Sequence, residues 1–124
     1  MVPLLLQEAN STLSARAYGQ AARLFAWHWA DVETHAALLR RNADAAAWQT
    51  WQTLRAALVF VDTTPDDLRA LNAFNDPLRL RAADAGHLFV FSRLAPHIPG
   101  LTLATFDGEM QAAATSLQLP VWQP

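Results

Sequence analysis

The chain has 124 residues, 52% of them hydrophobic and 16% charged, enough for one domain burying about two-thirds of its unfolded surface. That balance excludes a disordered chain, and the lack of cysteine excludes disulfides and thiolate metal sites. A net charge of −2, with arginine as the only cation type apart from histidine, does not describe a nucleic-acid binder working by electrostatics alone.

Residues 2–6, VPLLL, are too few to span a membrane, and no basic residue follows Met1 as a signal peptide requires, so no membrane association is expected and a cytoplasmic location is. Residues 2–8 read as a short helix, and after the turn candidates Asn10, Ser11 and Ser14 a second helix is expected over 13–22. Residues 24–29, LFAWHW, suit a buried strand, with Phe25, Trp27 and Trp29 on one face and Leu24, Ala26 and His28 on the other. Asp31 is placed to cap the next helix, in which Val32, Ala36 and Leu39 form one stripe.

Asp44 opens another helix, where Trp48, Trp51 and Arg55 fall at i, i+3 and i+7 as on a packed face. Residues 58–61, LVFV, read as a second buried strand. Thr64-Pro65-Asp66-Asp67 is a cap with proline at the first helical position. Asn75-Asp76-Pro77 breaks the helix that follows, and a further helix over 80–94 is stopped by Pro96, Pro99 and Gly100. A strand over 101–106, a helix over 108–117 and a terminal strand over 119–122 complete the chain. Strands alternating with helices imply a single α/β domain over residues 1–124, with three layers and a mostly parallel sheet.

In such a fold each helix that follows a strand begins at the carboxyl edge of the sheet, where ligands bind. Glu33, Asp84 and Asp107 reach that edge from three separate segments. Carboxylates gathered without basic partners repel one another unless a cation neutralises them, and oxygen ligands without His or Cys select Mg²⁺ or Mn²⁺. Each acid also has a plainer role. Asp84 suits a helix amino end, Asp107-Gly108 is a common turn pair, and Glu33 is within reach of Arg40 or Arg41 as a salt-bridge partner. With those roles the chain is a small α/β domain whose acids are caps and turns.

The segment AADAGHLFVFSRL…LTLATFDGEMQAAATSLQLPVW resembles the carboxyl half of PIN-domain proteins, particularly VapC-type toxins of toxin–antitoxin pairs. The likeness rests on Asp84-Ala85 opening a helix, on Thr105-Phe106-Asp107 ending a strand, and on the tail from Ala113 to Val121; Asp31-Val32-Glu33 looks like the family's second acidic position. The resemblance implies a Mg²⁺- or Mn²⁺-dependent ribonuclease in which acids hold the metal and the metal activates water against an RNA phosphodiester. Glu33, Asp84 and Asp107 would then be metal ligands, and Thr105 a catalytic-site hydroxyl holding a carboxylate or the water. It also implies an RNA substrate, a cognate antitoxin protein and a homodimer. The alternative within the same fold is a catalytically incomplete PIN-like module that binds a partner protein or RNA.

The sequence departs from the family at its start. The family's first strand, central in the sheet and ending in the first catalytic Asp, has no counterpart here. The expectation is an amino-terminal extension in the natural protein, with direct pairing of the flanking strands, or residues 2–6 serving as the central strand beside Glu8, as the other solutions. Asp62 ends a strand at the sheet margin and is not expected to substitute. His28, His35, His87 and His97 lack metal-ligand spacing. Trp27, Trp29, Trp48 and Trp51 are expected in a core or a partner surface rather than on nucleobases. Arg40-Arg41 and Arg79/Arg81 are candidate phosphate contacts or solvated helix ends.

Overall fold

A computed structural model describes residues 16, 17 and 19–123. The readings placed on residues 2–8 lie outside the described residues, as do residues 13–15 and 18 of the helix expected over 13–22, of which Arg16, Ala17, Gly19 and Gln20 are helical. The protein is mixed α/β. Its elements, in order among the described residues, are β1 (Leu24–Trp27), α1 (Trp29–Arg40), α2 (Ala45–Ala57), β2 (Leu58–Val61), α3 (Pro65–Asn75), α4 (Ala82–Leu94) and α5 (Gly108–Ser116). The chain divides into two compact units, one ending at Val61 and the other spanning Asp62–Gln123.

In the first unit β1 and β2 pair in parallel, Leu24 opposite Leu58 and Trp27 opposite Val61, and the His28 amide extends the ladder to the Val61 carbonyl at 2.9 Å. Side chains alternate across a strand, so Leu24, Ala26, Leu58 and Phe60 share a face. That face packs on Leu38 of α1 and on Ala47 and Trp51 of α2, with Trp48 and Leu54 at the margin. Trp51 and Leu38 are almost fully buried, each contributing roughly 1.5–3 kcal/mol by removal from water.

The helix boundaries follow from local chemistry. Asp44 caps α2 by accepting the Ala47 amide at 2.9 Å, as its sequence position implies. α1 ends in a Schellman turn: Asn42 takes a positive φ of 50°, its amide reaches the Leu39 carbonyl, and the Ala43 amide reaches that of Leu38. Ala43 then packs against the core that holds Leu38.

Three expectations change here. LFAWHW is a strand only as far as Trp27, because His28 turns into helical geometry and Trp29 opens α1. Asp31 therefore lies inside the first turn and is not the cap; its carboxylate takes two hydrogen bonds from Arg55 of α2, at 2.9 and 2.8 Å. The stripe of Val32, Ala36 and Leu39 also faces outward. The buried residues of α1 are Ala30, Thr34 and Leu38, while Val32 and Leu39 are 53% and 58% exposed.

The second unit is built around α4. Its buried residues Ala85, Gly86, Leu88, Phe89, Val90 and Phe91 run all round the helix, the pattern of an element enclosed on several sides. α3 and α5 both pack against it, with the Phe74 ring edge-on to Phe89 at 5.6 Å and Met110, Ala113 and Ala114 buried on α5. α3 starts in a full capping box. The Thr64 hydroxyl accepts the Asp67 amide, the Asp67 carboxylate accepts the Thr64 amide, and Pro65 occupies the first helical position. Between α3 and α4 the Asn75 side chain donates to the Leu80 carbonyl and accepts the Leu80 amide, both at 2.9 Å. That ring closes a loop in which Arg79 adopts a φ of 56°.

The strands expected over 101–106 and 119–122 are each reduced to one residue, paired in a parallel bridge between Leu103 and Val121. Amides of Leu103 and Trp122 bond to the carbonyls of Pro120 and Leu103 at 2.9 Å. The alternation of LTLATF is genuine, but regular pairing stops there: Thr105 and Asp107 turn their polar atoms to local loop and cap bonds.

Candidate functional site

Glu33 is half-buried in the second turn of α1, in the first unit. Asp84 and Asp107 belong to the second. Asp84 lies half-buried in the first turn of α4, a helix whose amino end has no side-chain cap. The partial positive charge of that end favours a carboxylate there. Asp107 is the cap of α5, with Oδ1 accepting the Met110 amide at 2.9 Å.

Thr105 organises the approach to Asp107. Its hydroxyl accepts the Asp107 amide at 3.2 Å, and its carbonyl accepts the Gln111 side-chain amide at 2.8 Å. The loop is thus tied to the first turns of α5 at two points. Gln111 was not legible as part of the site. Its only signal is its place four residues after Asp107, one turn along the same helix.

Glu109, in the first turn of α5, is a further acid that sequence spacing passed over. Together with Arg79 and Ser116 it lines an open cleft of about 450 Å³ between the 77–80 loop and α5. His87 is half-buried one turn after Asp84. Trp48 and Trp51 take the core role: Trp51 is buried and Trp48 packs edge-on against His35 with ring centres 4.9 Å apart. Arg40, Arg41, Arg79 and Arg81 are all exposed.

Among the described residues no three His, Asp or Glu side chains are gathered in a group that would hold a metal ion. The donor types remain those a hard cation takes, since Glu33, Asp84 and Asp107 offer carboxylate oxygens alone. Asp31 is a different kind of acid. Hydrogen bonding to Arg55 holds its carboxyl below the usual aspartate value, reinforced by the charges of Arg55 and His35 and opposed by desolvation. Its oxygens are already engaged by a cation within the fold.

No family model, no curated protein and no solved structure matches this chain.

Proposed function

We propose that this chain is a three-layer PIN-like domain that hydrolyses RNA phosphodiesters with Mg²⁺ or Mn²⁺, Asp84 and Asp107 of the second unit serving as metal ligands and Glu33 being a ligand by the resemblance alone. The observation that carries the reading is the placing of Asp84 and Asp107 at the amino ends of α4 and α5, two helices packed together in the second unit. A helix amino end presents positive potential, which suits a carboxylate placed there. Asp107 spends Oδ1 on the Met110 amide and keeps Oδ2 for a ligand. Thr105 holds the Asp107 backbone through its hydroxyl, so its role is to position that carboxylate. A divalent cation, when bound, supplies acidification of its water and offsets the charge that builds on the phosphoryl oxygens.

Toxin-type partners follow from the same resemblance: an RNA substrate, a cognate antitoxin protein and a second copy of the chain, in the cytoplasm. A second reading, a PIN-like module that binds a partner without cleaving RNA, is favoured by the exposed apolar face of α1.

The test is RNA cleavage by the purified chain. The expected result is activity that is lost in EDTA, restored by Mn²⁺, and reduced by at least about 100-fold in Asp84→Asn, as for loss of a metal ligand. Absence of cleavage, together with an unfolding temperature that Mn²⁺ leaves unchanged, overturns the enzymatic reading and leaves the binding module.

A further inference from the structure

α5 and the 77–80 loop face each other across the open cleft of about 450 Å³, a volume that suits a ligand of nucleotide size. Its walls are apolar through Leu78, Leu80 and Ala112, and each wall carries one charge. Arg79 stands on the loop and Glu109 on the first turn of α5. Both side chains are exposed, and among the described residues neither has a hydrogen-bond or ion-pair partner. Opposite charges that line one cleft without pairing are placed for the groups of a ligand.

The loop holds Arg79 in position. Its φ of 56° is uncommon for any residue but glycine and persists only where the surroundings enforce it. Three hydrogen bonds do so. The Arg79 amide donates to the Asn75 carbonyl at 2.8 Å, and the Asn75 side chain grips both polar backbone atoms of Leu80. Leu80 itself is buried. Such conformations gather at binding sites, where the strain serves to present a group. Here the group presented is a guanidinium.

The chemistry of the two charges selects the ligand. A guanidinium takes a phosphate through two parallel N–H bonds. An ionised carboxylate only accepts, through two oxygens. Among the four RNA bases guanine alone offers it two adjacent donors on the Watson–Crick edge, N1–H and the 2-amino group, and bases of unpaired RNA are read on that edge. Both walls also lead into the proposed metal site: the loop runs into α4, with Asp84 in its first turn, and α5 starts after Asp107.

We propose that this cleft is a guanine-nucleotide subsite, with Arg79 on the phosphate and Glu109 on the Watson–Crick edge of the base. The choice of a nucleotide rests on the ribonuclease reading, whereas the binding itself needs no metal.

Isothermal titration of the full chain in EDTA tests the subsite apart from cleavage. The probes are guanosine monophosphate, inosine monophosphate, which lacks the 2-amino group, and guanosine, which lacks the phosphate. Guanosine monophosphate is expected to bind with a Kd of about 0.1–1 mM, and about tenfold more tightly than either of the others. Glu109→Gln is expected to bind the two monophosphates alike. Arg79→Asn is expected to bind guanosine monophosphate no better than guanosine; asparagine tolerates the positive φ, and circular dichroism checks that both variants are folded. No saturable binding of guanosine monophosphate overturns the subsite even where RNA is cleaved. So does equal binding of the two monophosphates by the parent chain, or a preference that survives in Glu109→Gln. The expected binding pattern in a chain that cleaves no RNA keeps the subsite and sinks the ribonuclease reading instead.

Discussion

Asp107 has two tasks that one substitution can separate. Oδ1 caps α5 through the Met110 amide, a structural role that asparagine performs nearly as well as aspartate. Metal ligation under the proposed function needs the negative charge, which asparagine lacks. Asp107→Ala is expected to lower stability by about 1 kcal/mol through loss of the cap, and Asp107→Asn by only a few tenths, with both abolishing Mn²⁺-dependent cleavage. Urea unfolding beside the cleavage assay makes the comparison. An Asp107→Asn variant that cleaves as well as the parent chain would show that the residue is a cap alone. At this scale the helix-end places of Asp84 and Asp107 were legible, because caps and helix ends are set by residues three or four positions apart. Gln111 escaped notice because its partner is a carbonyl, which every residue carries, and the Thr105 hydroxyl, expected to hold a carboxylate or water, accepts the Asp107 amide.

Among the elements, the helices were easier to read than the strands, and the caps explain the difference. Asp44, Thr64 and Pro65 carry their stop and start instructions locally, whereas a strand exists only where another lies beside it. LVFV found such a partner in LFAW; LTLATF found one residue's worth. Asp31 was misread for a related reason: its chemistry is decided by Arg55, a helix away. That ion pair joins α1 to α2 and gives stability a defined pH dependence. Pairing depresses the folded-state pKa of Asp31 below the unfolded value near ~3.9, so the contribution is fully present above that value and is lost as pH falls through the folded pKa. Asp31→Asn is therefore expected to be less stable than the parent at pH 7 and at pH 5, and the gap to close below about pH 4. The gap is modest, since both side chains are well exposed at 53% and 33% and salt screens them. Urea midpoints across pH measure it; a gap that persists at about pH 2 would show that Asp31 acts through packing instead.

At the scale of the whole chain, the alternation of strand and helix announced an α/β protein, and both units use parallel pairing, β1 with β2 and Leu103 with Val121. The outward stripe of α1 was visible as a stripe, but its direction was not. Periodicity reports that a face is apolar, and only the packing of Leu38 and Thr34 decides which of two faces turns inward.

The parallel register of the first unit has a consequence for how it folds. Partners in β1 and β2 are separated by the full length of α1 and α2, so the ladder cannot begin until that intervening chain has been drawn together, at an entropic cost that helices formed from near neighbours do not bear. The helices should be substantially formed at the rate-limiting barrier, and the strands should dock after it. Ala47→Gly, which weakens α2 by roughly 1 kcal/mol, is then expected to act mainly by slowing refolding, and Leu24→Ala in β1 mainly by hastening unfolding. Stopped-flow measurements that assigned the Leu24 effect to the refolding arm would reverse that order, with the sheet assembling first and the helices condensing onto it.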